Sequence, residues 1–242
     1  MTPIQSFTAA LTEKQTFAEG VSLFTFYILE SKLSFTPGQY IIVNIPTSQG
    51  SVKRLYSIAS SNTSTDSFTL LIKDIPGGVA STHLNSLTFG QTISFSGPAG
   101  MFSYQQSPKP KVFITTGTGF APIRSILLSL PKNDTSKKTL LWGMPTAKSV
   151  YLFNELLSFE KNLLFFSFQL CLSQEQSLLV IPAQFRHYFR LGRVTPALGL
   201  AQDTSANENE YYFCGSREIV ESLRLAFLSE KIDPSSLHFE KY

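Results

Sequence analysis

The residues able to do chemistry lie in short, separated stretches. Gly117-Thr118-Gly119-Phe120-Ala121-Pro122 follows the apolar run 112–116 and opens a helical pattern. Glycines let a backbone approach a phosphate, and a helix N-terminus favours an anion. The spacing is neither GxGxxG nor a P-loop, since no Gly-Lys-Ser/Thr follows, and an ordinary tight strand-to-helix turn would look the same. Gly77-Gly78-Val79-Ala80-Ser81-Thr82 follows a second β-like run, where a short helix could begin. It offers backbone N–H groups and hydroxyls to a phosphate, or is a glycine turn with a serine cap. Arg54-Leu55-Tyr56-Ser57 reads as a strand, with Arg54 and Tyr56 on one face and Leu55 and Ser57 on the other. An arginine beside a tyrosine suits an anion next to an aromatic ring.

Other reactive types point elsewhere. His83, His187 and His238 are scattered, with no metal-ligand spacing and no Ser–His–Asp order. Cys171 and Cys214 are the only cysteines, too few for a disulfide framework or for a zinc or iron–sulfur site of their own. No resident metal is expected. Cys171 reads as core.

The elements that must position these residues change character near Pro108–Pro110. Before that point, β-rich runs at 21–28, 40–45, 54–59, 68–73 and 92–96 are separated by Gly, Pro, Ser and Asn. That pattern predicts an antiparallel barrel or sandwich. After it, apolar runs at 112–116, 139–142, 163–172 and 211–214 alternate with helical patterns at 120–130, 151–159 and 218–228. Such alternation predicts a parallel sheet with crossover helices, and 237–239 could add a last strand. The expected division is 1–106 and 107–242, and the polar segment 202–210 reads as a loop.

Length and composition set the frame. The chain has 242 residues, enough for one large domain or two small ones. No apolar run approaches the roughly 20 residues of a membrane span, and no basic leader with an apolar stretch opens the chain. A cytoplasmic protein without membrane insertion is expected. A net charge of +3 is too small to argue for nucleic acid. Charged residues are only 15%, against about 25% in typical soluble domains. The surface must therefore rest on Ser, Thr, Asn and Gln, while the 21 Phe pose a question of their own.

Taken in order, Arg54-x-Tyr56-Ser57, Gly77-Gly78-x-x-Ser81, Gly97-Pro98-x-Gly100, Gly117-Thr118-Gly119-x-Ala121-Pro122, Cys214-Gly215 and a closing Glu240-x-Tyr242 resemble the ferredoxin–NADP+ reductase family over residues 7–242. The resemblance implies a six-stranded antiparallel FAD-binding barrel, then a Rossmann-like parallel-sheet NAD(P)-binding domain. It implies Arg54, Gly77, Gly78 and Ser81 at the FAD pyrophosphate and Tyr56 against the flavin ring. Ser57 would bond near the hydride-accepting flavin nitrogen. Gly117, Thr118 and Gly119 would approach the NAD(P) pyrophosphate, and Cys214 would lie beside the nicotinamide. Glu240 would assist electron or proton transfer. Tyr242 would stack on the flavin as a gate that moves aside.

Coenzyme choice is where the match is weakest. NADPH-using members carry Ser-Arg after the third parallel strand, and this chain reads Leu172-Ser173-Gln174-Glu175. Ser173 and Gln174 are the candidate coenzyme contacts. Arg186, Arg190 or Arg193 could supply the missing charge, and the Glu240-x-Tyr242 ending tips the expectation slightly to NADPH over NADH. The implied activity is exchange of hydride with NAD(P)H and transfer of single electrons to a separate small acidic carrier, ferredoxin or flavodoxin, by a monomer. Two alternatives stand beside it. One is an NADH-dependent reductase of an oxygenase, or a flavin reductase. The other is a nucleotide-binding module without turnover.

Overall fold

The computed structural model describes residues 4–48, 50–195 and 206–241. The chain forms two compact units, residues 1–104 with 121–129, and residues 105–120 with 130–242.

In the first unit, strands β1 (Gln5–Thr16), β2 (Val21–Ile28), β3 (Tyr40–Thr47), β4 (Gly50–Ser57), β5 (Ser67–Lys73) and β6 (Thr92–Ala99) make one antiparallel sheet. Its order is β4-β3-β6-β1-β2-β5. The sheet curls into an open barrel with β4 and β5 as its two edges, and just past β4 the chain bridges to β5 from Ile58 to Leu70. Alternation does the sorting: Phe24, Phe26 and Ile28 are buried while Tyr27 is exposed. The core is largely phenylalanine. Phe95 meets Phe26 and Phe68 edge-on, each at 5.1 Å, and stacks on Phe7 at 5.7 Å. Stacked and edge-on pairs are the arrangements aromatic quadrupoles favour. Helix α1 (Val79–Ser86) follows β5, with Ala80 and Leu84 buried. Strand β1 went unread in the sequence: its buried residues alternate at Phe7, Ala9 and Leu11, but short polar neighbours hide the period.

In the second unit, β7 (Lys111–Thr116), β8 (Lys138–Met144), β9 (Phe166–Leu172), β10 (Phe189–Leu191), β11 (Glu210–Gly215) and β12 (Leu237–Lys241) form a parallel sheet ordered β10-β9-β8-β7-β11-β12. Every residue of β11 is buried, as a strand covered on both faces requires. Helices α2 (Phe120–Ser129), α3 (Phe153–Asn162) and α4 (Arg217–Ser229) alternate with the strands. From residue 121, α2 belongs to the first unit. There the Arg124 guanidinium donates to the Ala59 carbonyl at 2.6 Å, and the Ser125 hydroxyl donates to the Ser60 carbonyl at 2.7 Å. Among the described residues no helix is long and apolar enough to cross a membrane. Of the segment 202–210 read as a loop, 202–205 lie outside the described residues; 206–208 form a short 3-10 turn and Glu210 begins β11.

Candidate functional site

In the first unit the predicted residues gather at the open seam of the barrel. On edge strand β4, Arg54 pairs with Val43 and Tyr56 with Ile41, two residues of the core face. Paired residues point to the same side of an antiparallel sheet. Arg54 and Tyr56 therefore line the inner side at the seam, and Tyr56 packs against the core. Burial pushes the Tyr56 phenol up, with Arg54 pulling modestly the other way, so it stays neutral. Arg54 is exposed, its guanidinium 2.9 Å from the Lys53 carbonyl. Ser57 ends β4 opposite Tyr40 and is half-buried.

The other edge strand, β5, runs into the second glycine turn. Gly77 has φ +73°, with open space where a Cβ would stand. At Gly78 a Cβ would lie 2.8 Å from the Ser81 hydroxyl and 2.9 Å from the Ile75 carbonyl. The Ser81 hydroxyl is buried and braces the turn. It accepts the Ile75 N–H at 3.1 Å and lies 3.2 Å from the carbonyls of Ile75 and Gly78. No side chain caps the start of α1, as a helix start that takes an anion would need. Exposed Ile75 and Val79 flank the turn. A glycine cradle and uncapped helix start after one edge strand, with an arginine and a half-buried tyrosine on the other, fit a dinucleotide with a flat aromatic ring. A separate open cleft of about 760 Å³, lined by Asn44, His83, Gln91 and Ser94 among others, contains none of these residues.

In the second unit the predicted residues converge on the carboxyl ends of the strands. Gly117–Gly119 form a 3-10 turn between β7 and α2, again with no side-chain cap. Gly117 has φ +51° and open space at its Cβ position. Trp142, which the sequence reading passed over, holds this turn: its indole N–H donates to the Gly117 carbonyl at 3.0 Å, and its ring stacks on Phe120 at 4.1 Å. Cys214 on β11 lies between Thr115 of β7 and Glu240 of β12 in register. The Thr115 hydroxyl donates to the Cys214 carbonyl at 3.0 Å. Burial first, then the Glu240 charge, pushes the Cys214 thiol well up, so it stays protonated. Tyr242 lies outside the described residues.

Ser173 and Gln174 sit exposed just past β9. The Ser173 N–H donates to the Met144 carbonyl at 2.9 Å and the Gln174 N–H to the Pro145 carbonyl at 2.8 Å. Of the three candidate arginines, Arg190 and Arg193 lie beside the end of β9. Arg186 donates to the Ile181 carbonyl at 2.9 Å, Arg190 pairs with Cys171 on β10, and Arg193 is exposed beyond it. Among the described residues no group of acidic, histidine and cysteine side chains could hold a metal ion.

Comparison with known proteins now adds its weight. Residues 8–104 match the oxidoreductase FAD-binding domain model, and residues 113–224 match the oxidoreductase NAD-binding domain model. The chain belongs to the ferredoxin–NADP+ reductase family of FAD- and NAD(P)-binding oxidoreductases. It is 30% identical over 216 residues to the 2-halobenzoate 1,2-dioxygenase electron transfer component of Burkholderia cepacia, covering 88% of this chain and 60% of that protein. It is 36% identical over 124 residues to ferredoxin–NADP reductase B of Sorangium cellulosum, covering 50% and 51%. The crystal structure of the Amycolatopsis cytochrome P450 reductase GcoB superposes with a TM-score of 0.88 at 26% identity, covering all of this chain and 71% of the other. The chain spans about 60% of the length of the first oxygenase-component relatives. Within the reductase family, the open barrel and the parallel sheet are the FAD-binding and NAD(P)-binding parts.

Proposed function

We propose that the chain is an FAD-dependent reductase that exchanges hydride with NAD(P)H and passes electrons singly to a separate carrier. When bound, FAD supplies the redox chemistry, taking two electrons together and releasing them one at a time. The chain's own residues bind, orient and shield. Arg54 and the backbone N–H groups after Gly77 and Gly78 hold the FAD pyrophosphate, with Ser81 keeping that turn in shape. Tyr56 lies against the flavin ring, and its apolar surroundings keep its phenol neutral. Ser57 donates a hydrogen bond near the hydride-accepting nitrogen. Gly117, Thr118 and Gly119 seat the NAD(P) pyrophosphate, and Ser173 and Gln174 lie towards the adenosine end. Cys214 presents a small neutral thiol beside the nicotinamide, Glu240 handles a proton, and Tyr242 shields the flavin until the nicotinamide displaces it.

In this reading the FAD-binding part is 1–106 and the NAD(P)-binding part 107–242. The protein acts as a cytoplasmic monomer, and its partner is a small acidic carrier, ferredoxin or flavodoxin. The single observation that carries the proposal is that both phosphate-fitting turns, Gly77-Gly78 and Gly117–Gly119, begin uncapped helices in the family's matched domains. A second reading, the reductase of an oxygenase system, draws on the oxygenase-component relatives. It differs in the electron acceptor and not in the site.

The purified protein is expected to be yellow and to release FAD on denaturation. NADH or NADPH should bleach the flavin without oxygen, and added ferredoxin should restore the colour. Arg54→Ala should lower FAD occupancy. A colourless protein that takes up no added FAD overturns the proposal, and reoxidation only by an oxygenase component favours the second reading.

A further inference from the structure

We infer that Trp142 is a positioning residue for the coenzyme: its indole N–H fixes the peptide between Gly117 and Thr118, so that the Thr118 N–H faces the pyrophosphate. This deepens the function proposed above and rests on it.

A glycine turn built to approach a phosphate carries a weakness. Glycine takes positive and negative φ about equally well. The residue that lets the backbone come close therefore does not decide how the next peptide faces. Gly117 stands at φ +51°, with open space at its Cβ position. Within the turn, the Phe120 N–H reaches the Gly117 carbonyl but is shared with the Thr118 carbonyl. The indole of Trp142 has a single N–H, and it gives that N–H to the Gly117 oxygen at 3.0 Å. A peptide is planar and trans, so its C=O and N–H point opposite ways. A carbonyl turned to the buried indole turns the Thr118 N–H away from it. Two residues on, α2 begins without a side-chain cap. An N–H turned this way adds to the donors that a helix start offers an anion.

Trp142 can hold the peptide because its own ring is held. It lies on β8 and is fully buried. Register sets it opposite Thr115 of β7, two residues before the turn. Phe120 stacks on the ring at 4.1 Å, and Tyr151 meets it edge-on at 5.0 Å. Directly after Tyr151, Leu152 opens α3 at φ +56°. That left-handed conformation is strained for a bulky side chain, and such strain persists where the surroundings over-determine it. Packing at this place asks only for a large apolar ring. The N–H is the part of the side chain whose use is the turn.

The opposing view is that the carbonyl merely satisfies a buried indole. Removing the donor while keeping the ring separates the two, and the chain has one tryptophan, so the change can be made at a single atom. Biosynthetic replacement of tryptophan by 3-benzothienylalanine puts sulfur where the N–H stands. With FAD-loaded protein, calorimetry should show the preferred oxidised coenzyme and ADP-ribose both weakened by about three- to tenfold, the scale of one net hydrogen bond. ADP-ribose keeps the pyrophosphate and lacks the nicotinamide, so equal losses place the effect at the pyrophosphate. In anaerobic mixing, the coenzyme concentration for half-maximal bleaching should rise by the same factor, with the limiting rate unchanged. That split marks binding shared by ground state and transition state. Trp142→Phe, which also drops the N–H and keeps an aromatic ring, should give the same losses. In wild-type protein carrying a 15N-labelled indole, the single side-chain N–H resonance should shift when ADP-ribose is added. Unchanged affinity in both altered proteins overturns the inference, as does an indole resonance that ignores ADP-ribose while it binds. If the wild type holds FAD and binds neither coenzyme nor ADP-ribose, the proposed function itself has failed, and the two failures are told apart.

Discussion

The two ends of the parallel sheet are built on opposite principles. At the amino end, Lys111 and Lys138 begin β7 and β8 and are fully buried. Each is met entirely by the protein. Lys111 pairs with Glu210 at 2.7 Å and donates to the Ser107 hydroxyl at 2.6 Å. Lys138 pairs with Asp134 at 2.9 Å and donates to the carbonyls of Ser136 and Leu164. At the carboxyl end stand Gly117, Gly143 and Gly215, with the small side chains of Thr116 and Cys214 among them. A charge can be buried where the chain supplies every partner. At the carboxyl end the chain keeps its backbone low, and the helix after β7 starts without a side-chain cap.

The sharpest way to break this contrast is to orphan a charge at the amino end. Glu210→Ala removes the carboxylate paired with buried Lys111, and should cost about 3–5 kcal/mol in urea denaturation. The double variant Lys111→Met with Glu210→Gln should recover most of it, because Tyr212, which donates to Glu210 at 2.9 Å, can donate to the amide instead. Equal stability for the single and double variants would mean that the pair does not hold this end.

At the carboxyl end the corresponding insult is a methyl group. A Cβ on Gly143 would lie 2.9 Å from the Thr116 Cγ2 and 3.0 Å from the Val194 Cγ1. Neither neighbour is the tip of a flexible chain, so Gly143→Ala should cost about 1–3 kcal/mol. It should also weaken NAD(P)+ binding, because Thr116 leads into Gly117. Thermal denaturation and coenzyme titration check both effects. Loss of stability with unchanged coenzyme affinity would separate this glycine from the site.

The same contrast explains what the sequence made legible. Strand–helix alternation exposes the parallel sheet because runs such as 112–116 are buried on both faces. The glycine turns are visible because few residues other than glycine suit them. The amino-end clamp was hidden, since Lys111 reads as the end of a small basic cluster with Lys109. Its partner Glu210 is brought opposite only by the parallel register of β7 and β11. Gln174 was visible where an arginine is expected, but the reach of its neighbour Glu175 to Ala147 depends on how two loops are laced together. The turn of the Ser81 hydroxyl onto the Ile75 and Gly78 backbone was not legible, because pattern cannot show which way a hydroxyl points. The abundant Phe is answered by the barrel core and by a second group around Phe153, which meets Phe168, Phe185, Tyr188 and Phe189 at 5.3–6.0 Å.

Acid should sharpen the comparison further. Burial alone would raise the Glu210 carboxyl, but hydrogen bonds from Lys111, Ser107 and Tyr212 hold it below the usual 4.5. A carboxyl depressed by folding stabilises fully above its unfolded value, and that contribution fades as pH falls through the folded one. Stability should therefore drop as pH falls below about 4.5, and the Lys111→Met, Glu210→Gln variant should show a shallower drop. Equal slopes would place the acid-sensitive groups elsewhere.

The smallest expected effect is chemical silence at the carboxyl end. Burial pushes the Cys171 thiol up to about 11 and the Cys214 thiol well up as well. Alkylation needs a thiolate with access. The native protein should therefore resist iodoacetamide at mildly alkaline pH, and urea should release both thiols. Rapid modification of Cys214 alone would mean that the carboxyl end opens spontaneously at β11. Silence there is what a strand buried along its whole length requires.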